Sequence, residues 1–167
     1  MEALVIHSPL DLRVEDVPTP AVGPGQVRVR VRAGGICGSD LHYYQHGGFG
    51  AIRIQQPMVL GHEVAGVLDE VAPDVKHLAV GARIAVNPSH ACGQCRFCQL
   101  GLQNHCLDMR YFGSAMRMPH VQGAFRQELV VNAAQAYPLA EGISDAEGSM
   151  AEPLAVALHA VNRAGPL

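Results

Sequence analysis

Four of the five cysteines fall within residues 92–106, and their spacing constrains this chain more than any other feature. Three follow one another with two residues between neighbours, and the fourth comes after seven more: Cys92, Cys95, Cys98 and Cys106. Four thiolates on one short loop can surround a tetrahedral zinc ion at sulfur–metal distances of about 2.3 Å. Such a cluster is costly to keep ionised without its metal. The spacing therefore predicts a structural zinc lobe at about residues 90–108.

An iron–sulfur cluster is the alternative metal centre for a loop of this kind. The bacterial pattern requires a three-residue gap before the last cysteine and a proline directly after it. Here the last gap is seven residues, and Leu107 follows Cys106. Iron–sulfur is therefore ranked well below zinc.

The composition is typical of one globular domain rich in turns. The chain has 167 residues, of which 49% are hydrophobic and 16% charged, a balance found in folded proteins. It has 18 glycines and 11 prolines but only 5% aromatic residues, which favours short strands joined by turns over a helical bundle.

Charge and hydropathy exclude several classes of partner. The formal net charge of -3 gives no indication of nucleic-acid binding. There is no apolar run of membrane-spanning length, and residues 1–10 lack the pattern of a signal peptide. We therefore expect a cytoplasmic protein without a membrane partner, and in that reducing compartment clustered cysteines indicate metal binding rather than disulfides.

Alternating and apolar runs predict most of the strands. In the clearest one, residues 27–32, valine alternates with arginine, so that three valines share one face. Further strands are expected at 3–6, 12–17, 59–72, 81–86 and 125–131, with a last edge ending at Tyr137-Pro138.

Helices are expected in only two places. Ser39 or Asp40 is placed to cap a short helix after the glycines of residues 33–38. Residues 144–147 offer a capping box, which opens the only long helix, 146–163. We expect that helix to break near Glu152-Pro153, because proline disrupts a helix interior.

The fifth cysteine, Cys37, leaves two interpretations open. Catalytic zinc sites take three protein ligands from separated segments and leave a fourth position open. Cys37 with His62 and Glu63 fits that ligand set, and Glu152 could be a fourth. A lone cysteine is more often a small core residue, and spacing alone favours that interpretation.

Four motifs, taken in their order along the chain, favour the zinc-ligand interpretation of Cys37. They are Cys37-Gly38-Ser39-Asp40-Leu41-His42, Gly61-His62-Glu63-Val64-Ala65-Gly66, the cysteine lobe, and Glu152-Pro153-Leu154-Ala155. In this order they resemble the zinc-dependent medium-chain alcohol and polyol dehydrogenases, and the likeness covers essentially the whole chain. The resemblance implies a mainly β fold with short helices: a GroES-like catalytic domain at 1–152, followed at 153–167 by the start of a helix that leads to a nucleotide-binding domain.

The resemblance also implies roles for individual residues. A catalytic zinc ion would be held by Cys37, His62 and Glu63, with Glu152 bound directly or through water, and a second, structural ion by the lobe. Three further residues are expected to act in catalysis: Asp40 would orient the His62 imidazole, Ser39 would take the alcohol proton, and His42 would pass it on.

The substrate implied is a small sugar acid or polyol. Residues 43–50 and 113–123 are most similar to family members that act on L-idonate, with sorbitol-type members next. The expected reaction is oxidation of a secondary alcohol with NAD or NADP, from L-idonate to 5-ketogluconate, with sorbitol or xylitol as alternatives. Arg53, Arg110 and Arg117 are expected to bind substrate, because guanidinium groups match a carboxylate. Tyr43 is the fourth residue expected to bind substrate, as a wall of the pocket, and packing in the core is the equal alternative for it.

The dinucleotide fingerprint of this family, Gly-x-Gly-x-x-Gly, is missing from the sequence. We therefore expect the Rossmann domain to be absent from this chain and leave its cofactor-binding residues unassigned. The 167 residues alone should bind zinc but transfer little or no hydride, and the family suggests a homo-oligomer at full length. The competing function is a non-enzymatic, zinc-stabilised GroES-like binding module, which needs the lobe but not the Cys37 site.

Overall fold

The computed structural model describes residues 1–165, which form a mainly β fold as predicted. Its strands are β1 (Glu2–Ser8), β2 (Asp11–Asp16), β3 (Gln26–Gly35), β4 (Gly48–Phe49), β5 (Ile52–Arg53), β6 (Met58–Val59), β7 (Glu63–Val71), β8 (Arg83–Val86), β9 (Ser89–His90), β10 (Arg110–Tyr111), β11 (Glu128–Asn132) and β12 (Ala136–Pro138). Its helices are α1 (Gly38–His46), α2 (Arg96–Gln99), α3 (Asp145–Ser149) and α4 (Ala151–Ala164), with 3₁₀ turns at Gln103–His105 and Ala133–Gln135.

The largest sheet is antiparallel and runs in the order β11-β3-β7-β8-β12. Its second strand, β3, is the predicted valine–arginine strand. Val27 and Val29 are fully buried in the main core. On the other face Arg28 pairs with Asp69 and with Glu70, each at 2.9 Å. The predicted alternation is therefore confirmed, and it directs one face of β3 to the core and the other to a rim of ion pairs.

A second, three-stranded sheet runs in the order β2-β1-β6. The predicted pairing of the first two strands is confirmed, since β1 and β2 are antiparallel neighbours. The predicted last edge is also confirmed: β12 is an outer strand of the large sheet. Pro138 is tolerated there because an edge strand leaves one side without ladder hydrogen bonds.

Two helix predictions require correction. Helix α1 follows Cys37, so Cys37 is the N-cap, not Ser39 or Asp40. The Asp40 carboxylate instead reaches back and accepts the Cys37 N–H at 3.1 Å. The break between α3 and α4 lies at Met150 rather than near Pro153. Pro153 is in the first turn of α4, where a backbone N–H has no intrahelical partner and its loss costs little.

The C-terminal segment follows the sequence prediction in outline. The capping box is confirmed: the Glu147 N–H donates to Ser144 Oγ at 3.2 Å, and the Ser144 N–H donates to Glu147 Oε2 at 2.7 Å. Helix α4 takes up most of the predicted 153–167 segment, whose last two residues lie outside the described part of the chain. Within residues 1–165, no helix is both long and apolar enough to cross a membrane.

Close packing between β3 and β7 provides a test of the fold. A Cβ at Gly66 would overlap the Arg30 carbonyl oxygen and come 2.8 Å from Val29 Cγ1. Because backbone cannot move aside as a side chain does, Gly66→Ala should lower the free energy of unfolding by about 1–3 kcal/mol, as measured by urea denaturation. The matched control is Gly38→Ala, since nothing lies within 4 Å of a Cβ there. Equal stability of the two variants would contradict this strand packing.

Candidate metal centres

The four-cysteine lobe is a loop whose two ends lie side by side. Its two ends are held together by the short ribbon of β9 and β10, in which Ser89 faces Tyr111. All five cysteines are free thiols, and the four lobe sulfurs lie within 4.8 Å of one another. Cys98 Sγ is 3.9 Å from Cys92 Sγ and 3.5 Å from Cys95 Sγ. A tetrahedron with bonds of about 2.3 Å has edges of about 3.8 Å, so the sulfurs already have the spacing that zinc requires.

Backbone N–H groups favour the ionised form of two of these thiols. The N–H groups of Leu107 and Cys98 lower the pKa of Cys95 to about 6, and those of Gln94 and Cys95 lower the pKa of Cys92. Burial has the opposite effect on Cys98 and raises its pKa to about 12. A divalent cation would offset that cost, because thiolates and not thiols are the ligands. The donor set and its surroundings therefore fit a structural zinc ion.

A second candidate metal centre lies where β3 ends and β7 begins. One donor atom each from Cys37, His62 and Glu63 lies within 4.8 Å of the others. The backbone brings them together because Gly35, at the end of β3, pairs with Glu63, the first residue of β7. His62 and Glu63 are buried, and Cys37 is partly exposed. One sulfur, one nitrogen and one oxygen donor with an open side are typical of catalytic zinc.

The His62 ring supports this assignment independently. Its Nδ1 is the only buried side-chain nitrogen or oxygen without a hydrogen-bond partner within residues 1–165. The nearest acid, Asp40, places Oδ1 4.0 Å from it, which is beyond hydrogen-bond range. Buried polar atoms are rarely left unpaired, so this imidazole lacks an interaction that a bound ion and its associated contacts would supply.

Asp40 connects the two segments that carry the donors. It is buried, and its two carboxylate oxygens accept the backbone N–H groups of Cys37 and Gly61, both at 3.1 Å. Burial raises the pKa of this carboxyl, against the opposing effects of His62 and of the two N–H groups. Asp40 was expected to orient the His62 ring. In the structure it holds the backbone of Gly61, the residue before His62, and its Oδ1 lies 4.0 Å from His62 Nδ1.

Two glycines make room for this arrangement. A Cβ at Gly35 would overlap the Oε2 atom of Glu63, so only glycine leaves space for the carboxylate at that height of the sheet. Gly61 has a φ of +89°, which L side chains rarely adopt, and a Cβ there would overlap the Phe125 ring. The glycine that precedes His62 is thus required by the turn and by the packing beneath it.

Glu152 is not part of the three-donor cluster. Its Oε1 accepts a hydrogen bond of 2.6 Å from the hydroxyl of Tyr111, and the Tyr111 ring lies 5.3 Å from the His62 ring, centroid to centroid. Burial, together with the bond to Glu152, raises the pKa of the Tyr111 phenol, which therefore remains a donor. Tyr111 was not predicted as a site residue, because no motif or spacing distinguishes it in the sequence: its position depends on the pairing of β10 with β9.

The predicted proton-relay residues occupy one helix. Ser39 and His42 both lie on α1, directly after Cys37, and residues three apart share a helix face. Ser39 is half-buried and His42 is exposed. The two residues thus run along α1 from just after Cys37 towards the surface, and their catalytic roles stay a prediction.

The structure assigns Tyr43 and two of the three arginines to other contacts. Tyr43 is 1% exposed, and its hydroxyl accepts the Ala115 N–H at 2.9 Å, so it packs in the core of the described structure, and its contact with substrate stays a prediction. Arg53 donates to the Gly50 and Ile52 carbonyls, both at 2.8 Å.

Arg117 is committed to the end of the cysteine lobe. It donates to the carbonyl oxygens of Leu107 at 2.6 Å and Met109 at 3.3 Å, and it lies 3.4 Å from the Asp108 carboxylate. These contacts engage its guanidinium within the described structure, and its contact with substrate stays a prediction. Arg110, exposed on β10, is the predicted arginine for which no such backbone contact is seen within residues 1–165.

Comparison with known proteins agrees with this geometry. Residues 23–141 match the family model for the alcohol dehydrogenase GroES-like domain. The chain is 48% identical over 139 residues to L-idonate 5-dehydrogenase (NAD(P)(+)) of Escherichia coli, a match that covers 83% of this chain and 40% of the relative. It is 40% identical to human sorbitol dehydrogenase over 163 residues, covering 98% of this chain and 44% of the relative.

Solved structures show the same pattern. The crystal structure of L-idonate 5-dehydrogenase from E. coli K-12 superposes with a TM-score of 0.91 at 41% identity, covering 98% of this chain and 46% of that one. A zinc-binding dehydrogenase of Sinorhizobium meliloti bound to NADP gives 0.83 at 35% identity, covering 96% and 44%. The chain thus spans less than half the length of these relatives.

The two clusters predict a specific zinc content. Elemental analysis of the purified chain should give two zinc ions, of which mild chelation removes one, because the three-donor site is open and the lobe is closed. Cys37→Ser should lose the readily removed ion and keep the other, and Cys95→Ser should lose the resistant ion. A single resistant ion in the unaltered chain would contradict the three-donor site.

Arg117 provides a separate test of the lobe. Removing its hydrogen bonds to the Leu107 and Met109 carbonyls should lower the free energy of unfolding of Arg117→Ala by about 1–2 kcal/mol and speed zinc loss from the lobe to a chelator. Arg110→Ala is the matched control, and its stability should change by no more than about 0.5 kcal/mol. If both variants released zinc equally fast, the clamp assigned to Arg117 would be wrong.

Proposed function

The chain belongs to the alcohol dehydrogenase GroES-like domain family, and from that premise we propose that it forms the catalytic domain of a zinc-dependent oxidoreductase. The reaction is the oxidation of a secondary alcohol of a sugar acid or polyol, with NAD or NADP as hydride acceptor. The observation that carries the proposal is the three-donor cluster of Cys37, His62 and Glu63 beside a closed four-thiolate lobe. A binding scaffold stabilised by zinc would need only the lobe, so the second cluster favours an enzyme.

The chemistry divides between the metal, the cofactor and the chain. Zinc supplies Lewis acidity, which lowers the pKa of bound water from about 15.7 to about 7 and acts on an alcohol in the same direction. A bound nicotinamide cofactor would supply the hydride acceptor. The chain provides the route for the proton: Ser39 takes it from the substrate hydroxyl, and His42, one turn further along α1 and exposed, passes it outwards.

The remaining residues of the site hold its shape. Asp40 holds the backbone at Cys37 and at Gly61, the residue before His62. The Cys37 thiol and the His62 imidazole would therefore reach a bound metal ion from fixed directions. Glu152 was expected to bind the metal directly or through water. Its engagement by Tyr111 and its position outside the donor cluster support the water-mediated role.

L-idonate is the substrate we propose first, with 5-ketogluconate as product. The similarity to L-idonate 5-dehydrogenases in both sequence and structure supports it. The similarity to human sorbitol dehydrogenase supports the alternative, a polyol such as sorbitol or xylitol. A sugar acid differs from a polyol by one carboxylate, and because Arg53 and Arg117 bond to backbone carbonyls, Arg110 is the predicted arginine that remains for it.

A substrate panel tests the proposal on the full-length protein. L-idonate, sorbitol, xylitol and threonine are each offered with NAD and with NADP, and reduced nicotinamide is followed by absorbance. We expect turnover with L-idonate first, a lower rate with polyols, none with threonine, and loss of activity in Cys37→Ser. Absence of turnover with every sugar acid and polyol, or full activity in Cys37→Ser, would refute the proposed function.

A further inference from the structure

Tyr111 is the residue near the candidate catalytic centre for which neither the zinc ligands nor the proton route gives a role. It is half-buried and belongs to the ribbon that closes the cysteine lobe, opposite Ser89. From there it contacts two other parts of the protein: its ring packs at 5.3 Å and an interplanar angle of 58° against the His62 imidazole, and its hydroxyl reaches Glu152 on α4.

The bond between Tyr111 and Glu152 is short and directional. At 2.6 Å from oxygen to oxygen it lies in the range of hydrogen bonds to ionised carboxylates, which are about twice as strong as neutral ones. It joins residues 41 positions apart in the chain. Glu152 lies in the first turn of α4, so the bond also fixes the start of that helix beside β10.

We propose that Tyr111 is a positioning residue that holds the Glu152 carboxylate beside the Cys37–His62–Glu63 cluster but outside its ligand set. The hydrogen bond engages Oε1 of Glu152, and the aromatic contact keeps the Tyr111 ring against His62. The three-donor set is thereby kept at three, and the fourth position stays open for water or substrate. This inference rests on the proposed function, since it assigns a role within the same metal site.

The geometry makes a specific prediction for the hydroxyl. Tyr111→Phe keeps the ring against His62 and removes only the donor, which frees Glu152 to approach the metal. A carboxylate in the fourth position would compete with substrate. Changes to residues that orient metal ligands typically cost about 10–100-fold in metal affinity or activity, so we expect kcat/KM of Tyr111→Phe to fall by about 10-fold.

The experiment uses the full-length protein with cobalt(II) exchanged into the chelator-sensitive site and zinc left in the lobe. Visible absorption of the cobalt ion reports its coordination without turnover. Four proteins are compared: the unaltered protein, Tyr111→Phe, Glu152→Gln, and the double variant. We expect Tyr111→Phe to shift the cobalt bands, and we expect no corresponding shift when the same change is made in the Glu152→Gln background, because the effect acts through Glu152.

Tyr137 offers a matched control. Its side chain is 57% exposed and lines the same groove as Glu152, so Tyr137→Phe removes a phenolic hydroxyl nearby without removing the bond to Glu152. Its cobalt spectrum and kinetics should match those of the unaltered protein. Thermal unfolding of all variants, with lobe zinc retained, tests whether the fold is intact.

Three results would overturn the inference. The cobalt spectrum of Tyr111→Phe could equal that of the unaltered protein; the shift could persist at full size in the Glu152→Gln background; or Tyr137→Phe could produce the same shift. In each case an active, cobalt-loaded unaltered protein would leave the proposed function standing. An unaltered protein that neither loads cobalt at this site nor oxidises any substrate would refute both proposals together.

Discussion

The antiparallel pairing of β3 with β7 is the constraint on which the candidate catalytic centre depends. The two strands are distant in sequence, yet their ladder places Gly35 opposite Glu63, so that Cys37 leaves one strand just where His62 enters the other. The valine face of β3 fixes this register, because a slip by one residue would turn Val27 and Val29 out of the core. The hydrophobic core and the metal centre therefore depend on the same register.

That register brings the donor residues close together but does not by itself fix the positions of their side chains. Asp40 holds the two donor segments together by accepting one N–H from each, and Gly35 leaves the space that the Glu63 carboxylate occupies. Burying the Asp40 carboxylate costs free energy unless its oxygens accept hydrogen bonds. Both of its donors are backbone N–H groups, which cannot rotate away as side chains can. The site is thus built on rigid elements, which is what binding an ion with fixed geometry requires.

The cysteine lobe was predictable from the sequence because its four ligands are local, and their spacing alone specifies a closed loop. The strand at 27–32 was predictable for the same reason, since alternation is a local signal. The Cys37 site is assembled from distant segments, so spacing alone left it open and only the family's motifs identified it. Arg117 was predicted to bind substrate because a guanidinium matches a carboxylate. Its contacts with the Leu107 and Met109 carbonyls could not be predicted, because the sequence does not say where a carbonyl points.

The contacts of Tyr43 and Tyr111 likewise could not be predicted from the sequence. Tyr43 follows the Cys37 motif and turns into the core, where its hydroxyl accepts the Ala115 N–H. Tyr111 follows the cysteine lobe and turns towards Glu152. What separates them is the element that carries each one: a helix with one buried face, and a ribbon that closes the lobe. Because β10 begins where the lobe ends, the lobe fixes the position of Tyr111 beside His62. A structural ion in the lobe would therefore act on the geometry of the candidate catalytic centre through this ribbon, without donating any ligand to it.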